Sequence, residues 1–445
     1  MTSSKIERDE LGASFSRYER APEKFLIGAE SEKFGVDQQT GQPLGYGGEF
    51  SVCEVLGYLR DNHHWSEITE TEGGPVIGLT RQGASITLEP SAQLELSGEA
   101  LPSLHAIKAE SDAHLAELRP ISEKMGIAWL TTGFHPLASL NELPWVPKLR
   151  YPIMRKYLPA QGIGGLDMMQ RTATVQGNFD WKNERDALRK LVVCLKLSPL
   201  MHAWFANSPF SEKKRSTDLS VRGTVWRNMD RSRSGLIPSI WAKKNASYQD
   251  YAEWALSAGM FLIKREGKIL QNTGQTFTDF MKNGFQGHQA TLEDWTLHLS
   301  TLFPEVRLKN TLEVRSVDGL PPHLALASLS LWTGILYDER ALDEAESLVE
   351  ELQYERMESE RDELVARGLH ATVHGRSGFS WAEHLHDVAR GGLLRRHVLN
   401  EAREGEELYL DAARDLLERR KMPAEDVIDR FEKGQSFVEA TRFRF

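Results

Sequence analysis

The stretch Val306–Val317 alternates apolar and charged residues with period two, after Pro304 has ended the helical spacing of Trp295–Leu302. That period predicts a strand whose two faces meet different surroundings. Leu308, Leu312 and Val314 fall on one face, and Arg307, Lys309, Thr311, Glu313 and Arg315 on the other. On a lone strand a charged face is ordinarily a solvated one. Three further segments share the property, however. Glu30 and Glu32 have one parity in Phe25–Phe34, and so do Thr87, Glu89, Gln93 and Glu95 in Ser85–Leu96, where Pro90 stands to disturb the register. In Asp167–Asp180 the residues Thr172, Thr174, Gln176, Asn178 and Asp180 lie opposite Ala173, Val175 and Phe179.

Joined in one antiparallel sheet, these four polar faces gather five glutamates, an aspartate and three amides beside several cations. Carboxylates so crowded repel one another and raise each other's pKa unless cations neutralise them. Oxygen-rich surroundings favour a hard divalent ion, and Mg²⁺ is the usual one where phosphates complete the coordination. Arg307, Lys309 and Arg315 then face phosphate oxygens. The pattern points to ATP-dependent chemistry.

Other chemistries lack their motifs. The chain has no G-x-x-x-x-G-K-[ST], no G-x-G-x-x-G, no G-x-S-x-G and no H-E-x-x-H. Gly162–Gly165 reads as a plain turn, and the adjacent His63 and His64 as surface residues. Cys53 and Cys194 are too few for a disulfide framework and read as buried free thiols. A formal charge of -10 disfavours nucleic acid as a partner, and no apolar run is long enough to span a bilayer. Met1–Arg20 lacks the apolar centre of a signal peptide, which gives the expectation of a cytoplasmic protein.

Along the chain, residues 1–20 read as a helical or frayed extension and residues 21–338 as the catalytic core. Helices are expected at Gly48–Asn62, Leu101–Met125, Asn183–Phe205 (interrupted near Pro199), Tyr248–Ala258, Thr276–Lys282, Leu292–Leu302 and Leu324–Tyr337. Strands are expected at Val76–Thr80 and Ile127–Phe134. His135–Gly165 holds five prolines and the run Y-P-I-M-R-K-Y-L-P, and with the Ser- and Arg-rich Asn207–Pro238 it reads as a loop over a site. Residues 339–445 are rich in charged helix formers and read as helices packed on the core.

The ordered motifs I-G-A-E-S-E-K-F, I-T-L-E-P-S-A-Q-L-E-L-S-G, R-Y-P-I-M-R-K-Y, G-L-D-M-M-Q-R-T-A-T-V-Q-G-N-F-D, F-A-N-S-P-F and D-W-T-L-H-L-S-T-L-F-P-E-V-R-L-K-N-T-L-E-V-R-S-V-D-G run from Phe25 to Asp338. In this the chain resembles the plant and proteobacterial glutamate-cysteine ligases, within the glutamine-synthetase-like carboxylate-amine ligases. The resemblance implies an α+β fold in which a curved antiparallel sheet forms an open active-site funnel holding ATP and Mg²⁺, with helices packed outside. It implies Glu30, Glu32, Glu89, Glu95 and Glu313 as metal acids. Arg315, Arg307 and Lys33 are implied on the nucleotide side, and Arg222, Gln176, Trp226 and Arg233 on the substrate side. Arg222 would hold the alpha-carboxylate of glutamate, and Glu313, Arg315 and Arg222 would be the catalytic set.

Ligation of the gamma-carboxylate of glutamate to the amine of cysteine through a gamma-glutamyl phosphate follows as the implied activity. Its partners are small molecules, and the protein is a monomer or homodimer. Two alternatives stand beside it: transfer to another amine, and a silent ATP- or glutamate-binding relative. The sequence departs from the family pattern at Ser31, at Ser91 and Ala92, at Ser257–Gly259 and at Ser316–Val317. By parity Ser31 points away from Glu30 and Glu32, so the proposed acids are spared while the acceptor pocket is open to change.

Overall fold

The computed structural model describes residues 6–443 and 445. Its centre is a nine-stranded antiparallel sheet. We number its strands β1 (Ile27–Asp37), β2 (Ser66–Thr69), β3 (Val76–Arg81), β4 (Ala84–Leu88), β5 (Leu94–Ser97), β6 (Ile127–Leu130), β7 (Val175–Phe179), β8 (Val306–Leu308) and β9 (Leu312–Val314). The order is β8-β9-β7-β1-β5-β4-β3-β2, with β6 pairing the second half of β1. The long β1 carries Glu30 and Glu32 and pairs with the strand of Glu95, while Glu313 lies two strands away across β7.

Two segments read as single strands are hairpins. Val306–Val317 divides into β8 and β9 around Lys309–Thr311, where the Lys309 amide donates to the Thr311 carbonyl at 3.0 Å. Ser85–Leu96 divides into β4 and β5 around Pro90, which lacks the amide a continuous ladder needs. Asp167–Asp180 is strand only from Val175, because Gly165–Arg171 is helical. Asp180 lies beyond the end of β7, accepting from the Leu26 amide and facing Arg20, so it is removed from the acidic face.

The helix Leu104–Met125 starts on a Ser103 cap and stops at Gly126, which takes φ +70°. It covers the back of the sheet together with Pro322–Leu336. The latter helix approaches β7 closely at Gly177, where a Cβ would lie 2.8 Å from Leu329 Cδ2. Glu184–Trp204 runs unbroken through Pro199, contrary to the expected interruption, and is buried along nearly its whole length.

Residues 8–18 are not frayed. Leu11 and Phe15 are buried, and Arg8 reaches Glu253 on the helix Tyr248–Leu256 at 2.7 Å. Residues 1–5 of the expected extension lie outside the described residues. Charged helices do follow residue 338, and they share the main apolar core through Leu364, Leu385, Leu393 and Leu416. Gly378–Arg396 crosses Pro322–Leu336 where Gly392 meets Gly334, so closely that a Cβ on Gly392 would sit 1.9 Å from the Gly334 carbonyl oxygen. Among the described residues no helix is long and apolar enough to cross a membrane.

Candidate active site

The register brings the polar residues of six strands onto one face. Glu30 pairs with Gln176 and Glu32 with Glu95. Thr87 is opposite Glu95, while Glu313 is opposite both Asn178 and Arg307. Because the side-chain period is two, these pairings place every one of the groups on the same surface. The surface floors a cleft of about 510 Å³. Lys148, Arg150, Tyr151 and Met154 wall it on one side, Arg222 and Trp226 on another, and Phe261, Leu297 and Phe303 close it.

At one end Glu313 is fully buried among cations. Arg307 grips it through Nε at 2.5 Å and Nη2 at 2.9 Å, Arg315 approaches at 3.3 Å and Lys309 at 3.5 Å. Although burial opposes ionisation, these cations hold the Glu313 carboxyl well below the usual carboxylate range. Glu30, two residues from the next acid on β1, accepts from Asn178 at 2.7 Å. Burial first, then the charges of Glu313 and Glu95, push its pKa up to about 8. Glu32 accepts from the Thr174 amide at 3.0 Å and from Gln176 at 3.3 Å. Burial, with Glu95 and Glu89 nearby, raises it well above the ordinary value. Glu95 accepts from Thr87 at 2.5 Å, and Glu89 sits in the β4–β5 turn at the cleft wall.

Among the described residues no three acidic, His or Cys side chains close into a cage of their own. An ion that keeps waters and takes oxygens from phosphates needs only one or two carboxylates at a time. Paired acids left short of positive charge, with Glu30 and Glu32 both raised, fit an ion of that kind.

Arg222 is held rigidly. It donates to the carbonyls of Ser316 at 2.9 Å and Arg315 at 2.8 Å, with Asp318 at 3.8 Å, and its Nε is buried without a partner. Asp318, which the sequence did not single out, is fully buried and accepts from the Asn207 amide, Ser208 and Ser220 at 2.7–3.0 Å. It thereby fixes the loop and helix that carry Arg222 and Trp226. Gln176 accepts from Arg315 while donating to Glu32, so its orientation is set by both neighbours.

Three expected site residues sit elsewhere or are otherwise engaged. Lys33 has the opposite parity to Glu32 and lies buried behind the sheet, 3.4 Å from His114; burial lowers its pKa to about 8. Arg233 is fully buried away from the cleft lining, bound to Asp230 and to the carbonyls of Thr301 and Gly259. Arg307 does line the cleft, but its donors go to Glu313, Ser300 and Leu302, which makes it the counter-ion of Glu313 rather than an open phosphate contact. Lys148 and Arg150 were missed and stand within electrostatic reach of Glu89. Both lie in the long proline-rich segment His135–Gly165, just before its aromatic-basic run.

The chain belongs to glutamate-cysteine ligase family 2 (GCS2), whose pattern matches residues 26–441, and it is accordingly a ligase. It is 37% identical over 421 residues to the chloroplastic glutamate-cysteine ligase of Nicotiana tabacum, an alignment covering 93% of this chain and 80% of that one. The chloroplastic enzyme of Brassica juncea is 36% identical over 436 residues, covering 97% and 82%. Among solved structures, the glutamate-cysteine ligase of Francisella tularensis in complex with AMP superposes with a TM-score of 0.54 at 13% identity, over 94% of this chain and 87% of that one. That likeness supports the α+β architecture.

The expected cytoplasmic location is corrected by the same comparison, since the curated relatives are chloroplastic proteins. The lack of an apolar centre in Met1–Arg20 does not argue against an organelle, because organelle-import segments lack one too.

Proposed function

We propose that this protein joins the gamma-carboxylate of L-glutamate to the amine of L-cysteine at the expense of ATP, the first step of glutathione biosynthesis. The observation that carries the reading is the cleft itself: Glu30, Glu32, Glu95, Glu313, Arg307 and Arg315 on its floor, with Glu89 from the β4–β5 turn and Arg222 from a wall helix, in a chain of this family. A gamma-carboxylate oxygen attacks the gamma-phosphorus of ATP, the bond to the bridging oxygen breaks, and ADP leaves. The amine nitrogen then attacks the acyl carbon of the gamma-glutamyl phosphate, phosphate departs, and the amine gives up its proton.

The residues contribute positioning and charge, with no protein nucleophile. Arg222, locked by the Ser316 and Arg315 carbonyls and by Asp318, offers its remaining donor to the alpha-carboxylate of glutamate, against the face of Trp226. Gln176 orients the same substrate beside Glu32. Arg315 is the cation for the transferred phosphoryl group, with Lys309 beside it and Arg307 neutralising Glu313 from behind. Glu30, Glu32, Glu89, Glu95 and Glu313 would hold Mg²⁺, which when bound offsets phosphate charge and polarises the transferred group. Residues 21–338 would form the catalytic core, with 339–445 packed upon it.

Pure protein given ATP, Mg²⁺ and glutamate tests the reading across a panel of amines. Cysteine is expected to give the highest kcat/KM for ADP release. A better amine would move the reading to the second acceptor class, and no turnover with any amine would sink it.

A further inference from the structure

A second space, larger than the cleft, is present among the described residues. It has a volume of about 810 Å³ and lies behind the sheet. Its floor is made by Ala29 and Ser31 of β1, Leu96 of β5 and Val175 of β7, the residues that alternate with the acids and Gln176. Of the five acids, Glu30 alone borders both spaces. Ile107 and Leu115 of Leu104–Met125 form one wall, and Leu326 and Leu329 of Pro322–Leu336 another. The last residues, Arg442, Phe443 and Phe445, stand at the rim, where Arg119 lies over the Phe445 ring at 5.6 Å.

A volume of this size, with an apolar floor and helix walls and a charged rim, has the dimensions of a small-molecule site. The charges at its edge are mostly engaged: Lys108 with Asp112, Glu110 with the Glu99 amide at 2.8 Å, and Arg430 with the Ala440 carbonyl at 2.8 Å. Arg442 differs. Its Nε is buried with no hydrogen-bond partner, and its guanidinium makes no ion pair among the described residues. A buried donor of this kind asks for an acceptor, and a cation asks for an anionic one.

We infer that this back cavity binds a small amphipathic anion. Its apolar body lies on Leu96, Ile107, Leu115, Val175, Leu326 and Leu329, and its carboxylate or sulfonate accepts from Arg442. The triphosphate of ATP and the paired carboxylates of glutamate are unsuited to such walls. The two spaces therefore take different ligands on opposite faces of one strand.

The test titrates the full-length protein with 8-anilinonaphthalene-1-sulfonate, followed by fluorescence, and then adds decanoate as competitor. Saturable binding to one site is expected, displaced by decanoate and untouched by ATP with glutamate. Ala116→Trp, which fills the cavity from an exposed helix position, and Arg442→Gln are each expected to raise Kd at least tenfold while ADP release stays within twofold. Ser111→Trp replaces Ala116→Trp if that variant fails to fold. Absence of saturable binding, displacement by ATP, or an unchanged Kd in either the filling variant or Arg442→Gln would overturn the inference.

Discussion

Glu30→Gln probes the unbalanced charge of the cleft directly. Burial and the charges of Glu313 and Glu95 raise Glu30 from 4.5 to about 8. Between those values the folded protein keeps a proton that the unfolded chain has released, so this group makes folding stability fall as pH rises through that window. At about 1.4 kcal/mol per pH unit, the loss between about pH 5.5 and pH 8 reaches roughly 3 kcal/mol at most. Because the carboxylate is half-buried and coupled to its neighbours, screening reduces this to roughly 1–2 kcal/mol. Glutamine keeps an oxygen for Asn178 and cannot ionise. Urea unfolding at about pH 5.5 and about pH 8 should find the variant more stable than the parent at the higher pH, with the advantage reduced to about a third at the lower. Added Mg²⁺ at the higher pH should stabilise the parent more than the variant. A variant with the parent's pH slope, or one less stable at high pH, would refute the reasoning.

Arg222→Lys keeps the charge but loses the planar fork, and should raise KM for glutamate by about 30–100-fold while ATP affinity changes little. Lys33→Met should leave KM for ATP within about threefold, because Lys33 lies behind the sheet; a loss beyond about tenfold in steady-state kinetics would return it to the cleft. Gly392→Ala forces apart the helices that meet at Gly334 and should cost about 1–3 kcal/mol in denaturant unfolding, with activity per folded molecule retained.

Much of the site was legible because parity survives errors in strand boundaries. Arg307 and Glu313 share a face whether Val306–Val317 is one strand or a hairpin, since six residues separate them and the register pairs them across the turn. The same rule placed Glu30 and Glu32 together, and it also put Lys33 on the other side; the motif pointed to the nucleotide, and parity was the better guide. Where a helix or a turn ended the alternation, parity misled: Asp180 lies past the end of its strand. Long-range partners were invisible. Nothing near Arg233 in sequence announces the carbonyls of Gly259 and Thr301, and Asp318 gains its place only when Asn207, Ser208 and Ser220 fold onto it.

The central claim, that the cleft activates the gamma-carboxylate of glutamate as an acyl phosphate, is tested most directly by isotope transfer. Glutamate labelled with ¹⁸O in its gamma-carboxylate is incubated with the enzyme, ATP, Mg²⁺ and cysteine, and the released phosphate is analysed by mass spectrometry. The account predicts one ¹⁸O atom in each phosphate, released together with ADP. Unlabelled phosphate, or AMP with pyrophosphate in place of ADP, would contradict it.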